Sequence, residues 1–151
     1  MELLIEKQRR RMTLLDGDVP LFACKVALGR NPVDKKRAEG DGCTPEGRFY
    51  ICLVKEQGKY GRSLGLSYPA REDAETAFAE GRIDEGALRA VHAAWDENRR
   101  PPWGTALGGE IYIHEGGTAT DWTQGCIALE SEDMDRLFPL RESICAVIIR
   151  P

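Results

Sequence analysis

The chain has 151 residues, 42% hydrophobic and 30% charged, with a formal net charge of −4. That length suits one domain spanning 1–151 that buries roughly 68–70% of its unfolded surface, so a core needs no metal or disulfide. The basic residues are scattered apart from short runs at Arg9–Arg11 and Lys35–Arg37, which excludes a nucleic-acid footprint, and no segment approaches the ~20 apolar residues of a membrane-spanning helix. The start, Met1-Glu-Leu-Leu-Ile-Glu, has neither the basic nor the apolar region of a signal peptide.

In chain order, strand-like segments fall at Leu3–Glu6, Met12–Leu15, Phe22–Leu28, Arg48–Val54 and Ser63–Leu66. They are short, rich in aliphatic, β-branched or aromatic residues, and separated by turn signals such as Asp16-Gly17-Asp18 and Gln57-Gly58. From Glu72 to Asn98 the period changes to helical. Ala74, Ala77 and Phe78 share one face; Leu88, Val91, His92 and Trp95 form a second apolar stripe, on which His92 reads as a core histidine. Gly81 and Gly86 flank the break between these two helices, and Pro101-Pro102 stops the second. Strands resume at Glu110–His114 and Ile127–Leu129. A short helix follows, with Ser131 as N-cap, Glu132 and Asp133 in its first turn, and Met134, Leu137 and Phe138 facing inward. A last strand runs over Ile144–Ile149. The predicted fold is mainly β, a sandwich with a two-helix insertion and one short helix before the final strand.

Five cysteines (Cys24, Cys43, Cys52, Cys126, Cys145) make no CxxC pair and no zinc spacing. Cys24, Cys52 and Cys145 lie in apolar, strand-like runs, where cysteine is usually a small buried hydrophobe. Cys43 lies in a glycine-rich turn, a setting that leaves room for exposure. Only Cys126 has neighbours that suggest chemistry. A strand, Ile111-Tyr112-Ile113-His114, delivers a histidine at its end, and a glycine-bearing loop leads to Thr123-Gln124-Gly125-Cys126-Ile127. A thiol becomes a nucleophile as thiolate, and a nearby imidazole takes its proton. Gly125 permits a sharp turn, and the amides of Gly125 and Cys126 are candidate oxyanion donors. On its own, a histidine and a cysteine at this spacing is weak evidence.

The surrounding residues carry more. Ile113-His114, followed by Thr123-Gln124-Gly125-Cys126-Ile127, resembles the active-site signature of the YkuD-type L,D-transpeptidase domain. Upstream, Gly40-Asp41-Gly42-Cys43-Thr44-Pro45-Glu46-Gly47 resembles that family's Gly-Asp-x-x-Thr-Pro-Glu-Gly segment. Leu64-Gly65-Leu66-Ser67-Tyr68-Pro69 is similar to a branch that also reads Asp-Trp-Thr-x-Gly-Cys-Ile-Ala-Leu, matched here by Asp121–Leu129. The three matches occur in family order.

The resemblance implies an L,D-transpeptidase-like β-sandwich with His114 and Cys126 at the mouth of a groove. It implies Cys126 as acyl nucleophile, His114 as base, and peptidoglycan stem peptides in the cell envelope as substrate, with no cofactor and no metal. The histidine would be oriented by a backbone carbonyl, leaving Asp121 as a turn residue. Expected substrate contacts are Trp122, Thr123, Tyr68, Gly116 and Gly117, with Ser67 also lining the groove; Trp103 and Trp122 either line it, as aromatic rings suit sugar or peptide contact, or are structural. Two departures bear on the fate of the acyl group: Ala128 stands where crosslinking members often carry Arg or Asn, and Gln124 where histidine is common. Crosslinking transfer, hydrolysis of stem peptides and a silent peptidoglycan-binding module are the three readings. Glu115 either tunes His114 or points to solvent. The 72–98 insertion is either a lid over the groove or a surface embellishment.

Overall fold

The alternation of Glu2-Leu3-Leu4-Ile5-Glu6 sends Leu3 and Ile5 to one face, where both are fully buried. In the computed structural model, which describes residues 1–151, this strand, β1 (Glu2–Glu6), pairs antiparallel with β2 (Arg11–Asp16) and parallel with β9 (Ala146–Arg150). β3 (Val19–Lys25) adds to β2 across a turn in which Gly17 takes a φ of 61°. β4 (Gly47–Phe49) adds to β9, giving a five-stranded sheet in the order β3-β2-β1-β9-β4. The second sheet holds β5 (Ile51–Gly58), β6 (Gly61–Leu66), β7 (Tyr112–His114) and β8 (Ile127–Ala128), in that order.

The two sheets bury one shared core. Leu3, Ile5, Met12 and Leu14 from the first meet Leu64, Leu66, Ile113 and Ile127 from the second, all without solvent exposure. Each fully buried Leu or Ile contributes roughly 1.5–3 kcal/mol relative to leaving it in water. A one-residue slip of β7 would exchange Ile113 for His114 at the core, so register is specified strongly where the site is built.

The predicted strand Arg48–Val54 is two strands. The chain leaves the first sheet after Phe49 and enters the second at Ile51. Tyr50 is the pivot: its amide donates to Ser67 Oγ (3.0 Å), and its hydroxyl donates to the carbonyl of Arg99 (2.7 Å). The predicted strand at Phe22–Leu28 likewise stops at Lys25, and Ala27 crosses to bridge Ala128.

The helices α1 (Arg71–Ala79) and α2 (Glu85–Asp96) confirm the insertion, with corrections to its details. Ala74, Ala77 and Val91 are buried, but Phe78 is exposed, because α1 offers only a narrow alanine face to α2. Gly81 sits in the break with a φ of 73°, whereas Gly86 lies inside α2. α2 ends before Pro101-Pro102, where Asn98 turns to a φ of 51°. His92 is half-buried between the helices, its ring beside Glu75 (3.3 Å) and Arg71 (3.2 Å), not a core residue. In α3 (Ser131–Leu137) the N-cap is Glu130, and Ser131 is already helical. The Glu130 carboxylate accepts from the amide and hydroxyl of Thr118. A 3₁₀ segment (Phe138–Ser143) leads into β9.

Candidate active site

β7 and β8 run side by side in parallel, Ile113 opposite Ile127 and His114 opposite Ala128. One step back along that register sets Cys126 beside Tyr112, whose N–H points at the thiol sulfur (3.4 Å). Side chains alternate along a strand, so Tyr112, His114 and Cys126 leave by one face while Ile113 and Ile127 enter the core. All three outward residues line a single cleft of about 360 Å³. Tyr60, Trp122, Thr123, Gln124, Lys36 and Glu110 are among the other residues of its wall.

His114 is 2% exposed. Its Nδ1 meets the carbonyl of Glu115. A carbonyl only accepts, so Nδ1 carries the hydrogen and Nε2 keeps a free lone pair. Burial pushes the imidazole below its usual 6.5, opposed by the Glu115 carbonyl. No carboxylate touches the ring. Glu115 neither tunes the imidazole by charge nor faces solvent, because Arg62 holds its carboxylate at 2.7–3.0 Å.

The Cys126 thiol donates to the carbonyl of Glu110 (3.4 Å), a residue held at a φ of 55°. Burial pushes this thiol above its ordinary value; the Tyr112 amide and the Lys36 ammonium pull the other way. Lys36 is itself buried, bonded to the carbonyl of Ala38 and to Asp41. Burial thus favours the neutral form of both thiol and imidazole at rest.

The loop preceding Cys126 is set by Thr123 and Asp121. The Thr123 hydroxyl donates to the Cys126 carbonyl (2.7 Å) and accepts from the Gly125 amide (3.1 Å). The expected pair of oxyanion donors is therefore corrected: the Gly125 N–H is occupied, while the Cys126 amide donates to no protein group. Thr123 shapes the loop through this hydroxyl. Asp121 accepts from the Leu28 amide (2.9 Å) and from the Arg10 guanidinium (2.9–3.0 Å), so it is a loop anchor far from any triad role. Although burial opposes it, these partners hold its carboxyl below the usual range. Asp121→Ala is expected to cost roughly 1–3 kcal/mol in urea unfolding, since it strands a buried amide and a guanidinium.

Other expected substrate contacts move. Trp122 does line the cleft, its Nε1 donating to the Gly117 carbonyl (3.0 Å). Gly116 and Gly117 serve that ring: a Cβ on Gly116 would stand 2.7 Å from it. Tyr68 is fully buried, its hydroxyl donating to the Leu107 carbonyl (2.8 Å), and Ser67 is buried against Tyr50. Trp103 packs on Gly109 and donates to the Tyr68 carbonyl (3.0 Å), outside the cleft. No residue of α1 or α2 lines the cleft; Trp95 packs the insertion against Phe49 and Tyr50 instead. The helices are an embellishment on the flank of the sandwich. Of the cysteines, Cys43 is buried, with its carbonyl packed against Gly125, while Cys145 is exposed and Cys24 and Cys52 are half-buried.

Sequence reasoning missed Tyr60. It sits on the two-residue β5–β6 turn and stacks on His114 with ring centroids 4.7 Å apart at 22°. Trp122 meets the same imidazole edge-on at 5.5 Å.

A family model described as the L,D-transpeptidase catalytic domain, YkuD, matches residues 1–149. The chain belongs to this family. Among solved structures, the helical cell shape determining protein Pgp2 of Campylobacter jejuni superposes with a TM-score of 0.68 at 21% identity, over 98% of this chain and 46% of that one. Bdellovibrio bacteriovorus Bd1075 gives 0.58 at 15%, over 99% and 46%. An L,D-transpeptidase of Enterococcus faecium gives 0.54 at 11%, over 99% and 49%. The YkuD domain described here thus spans about half the length of the solved proteins it matches. No curated protein matches the sequence.

Proposed function

We propose that the domain transfers acyl groups on peptidoglycan stem peptides through a thioester on Cys126. The observation that carries this is the shared outward face of β7 and β8, which presents the thiol and a tautomer-fixed imidazole to one cleft.

In the proposed sequence the peptide carbonyl of the third stem residue, a diamino acid, enters the cleft. His114 Nε2 takes the thiol proton as sulfur attacks. The oxyanion falls to the Cys126 amide, the backbone donor left free beside the nucleophile. Collapse expels the amine of D-Ala, which leaves with the proton held by His114. An amine from a second stem then attacks the thioester, and His114 accepts and returns its proton. The product is a crosslink between two third residues; water in place of the amine gives a tripeptide.

The substrate places this chemistry in the cell envelope, and no helix of the chain is long and apolar enough to cross a membrane. The test is incubation with disaccharide-tetrapeptide, with and without an acceptor stem, read by mass spectrometry. Crosslinked dimer is the expected product. Tripeptide and free D-Ala alone would replace transfer by hydrolysis, and an unchanged substrate with a folded protein would remove the enzymatic reading.

A further inference from the structure

Three consecutive residues of the β5–β6 hairpin meet His114 and its neighbour Glu115. Tyr60 covers one face of the imidazole at 4.7 Å between centroids. Gly61, at a φ of 79°, leaves a space in which a Cβ would stand 2.5 Å from Glu115 Oε2. Arg62 then holds the Glu115 carboxylate by its own amide (2.7 Å), by Nε (3.0 Å) and by Nη2 (3.0 Å).

Glu115 is the residue whose backbone carbonyl meets His114 Nδ1. Its peptide unit is followed by Gly116 and Gly117, at φ values of 130° and 101°, a stretch whose backbone has little intrinsic stiffness. The backbone on either side is tied, the Leu129 amide donating to the His114 carbonyl (2.8 Å) and Gly117 bonded to the Leu129 carbonyl (3.0 Å) and to Trp122 Nε1 (3.0 Å); at Glu115 itself the tie is the side chain, held by Arg62. Arg62 is itself fixed on the far side, where Nη2 reaches Asp135 (2.7 Å) and the Ser131 carbonyl (3.4 Å) in α3. Its charge is spent on two carboxylates and is not aimed at the imidazole.

We infer that this hairpin is a clamp on the base: Arg62, acting through Glu115, is a positioning residue that fixes the tautomer of His114, and Tyr60 fixes the plane of its ring. The inference rests on His114 being the base of the proposed reaction. A plain structural tie between β6, β7 and α3 would change stability alone. A clamp changes the imidazole.

The test compares the whole chain with Arg62→Met and Arg62→Lys, each labelled with nitrogen-15. The chain has two histidines, and a His92→Gln variant assigns them. The unsubstituted protein is expected to show His114 protonated at Nδ1. Arg62→Met is expected to show a tautomer mixture, with kcat on the tetrapeptide down roughly 10- to 100-fold and KM within about two-fold; Arg62→Lys restores part of both. A folded Arg62→Met with unchanged nitrogen shifts and unchanged kcat overturns the clamp. If Arg62→Met does not fold, Glu115→Gln, which keeps the side-chain shape, is read in its place with the same criteria. The tautomer is measured without substrate, so a protein that turns over no stem peptide removes the proposed function and leaves the clamp to stand or fall on its spectrum. Protonation at Nε2 in an active protein overturns the clamp and the assignment of Nε2 as the proton acceptor, while leaving acyl transfer by Cys126 in place.

Discussion

Cys126→Ala is expected to end product formation from tetrapeptide, with the rate falling roughly 10⁴-fold or more, because no other thiol lines the cleft. The fold should survive within about 1 kcal/mol, since the hydrogen bonds lost with the sulfur are two long ones, to Tyr112 and Glu110. His114→Ala is expected to fall roughly 10²- to 10⁴-fold, the range of a lost general base. Burial drives the pair toward its neutral forms, raising the thiol above 9.0 and lowering the imidazole below 6.5. The sign is testable. Alkylation by iodoacetamide, read on the Cys126 peptide by mass, should rise only on the alkaline side of the ordinary thiol value. An alkylation plateau reaching below pH 7 would mean a resting thiolate–imidazolium pair and would sink the neutral-pair reading. Exposed Cys145 is the internal control for reagent and pH.

The strands and the meeting of Cys126 with His114 in one cleft were legible because they are written locally. Alternation in β1, the helical stripe of α2 and the Gly-Cys step each occupy a few adjacent positions, and the period puts Ile113 and His114 on opposite faces of β7, the core face and the cleft face. The misreadings share a different cause. Arg48 to Val54 is one apolar run, and nothing in it announces that Tyr50 will hand the chain from one sheet to the other. That change depends on Ser67 and Arg99, distant in sequence. Tyr68 read as a groove residue because its neighbours matched a family segment, yet its hydroxyl finds the Leu107 carbonyl only in the folded chain. Lying among glycines left room for Cys43 to be exposed. Those glycines instead let the turn press against a second glycine segment, Gly29 beside Gly125. Tyr60 and Arg62 were invisible for the same reason: a turn signal marks a hairpin tip, but not which side chain the tip will meet.

That packed glycine layer sets the last expected result. Gly125→Ala should join backbone strain to a clash directly beside the nucleophile of the proposed reaction. Its φ of 135° lies outside the range that L side chains adopt readily, which costs about 1–3 kcal/mol. A Cβ there would also stand 2.6 Å from the Cys43 carbonyl and 3.0 Å from Ile111 Cδ1. Neither neighbour yields easily: the first is backbone and the second belongs to the core. Relief therefore comes from the loop, which carries the Cys126 amide and the Thr123 hydroxyl bonds with it. The expected outcome is a loss on the order of 3 kcal/mol in urea unfolding together with roughly 10²-fold in kcat, since a shift of about 1 Å suffices for the latter. Gly17→Ala is the matched comparison, with a positive φ of 61° but nothing within 4 Å of the added carbon. It should lose stability alone. Equal loss of activity in the two variants would show that general destabilisation, and not the packing of Gly125 on Cys43, accounts for the lost rate.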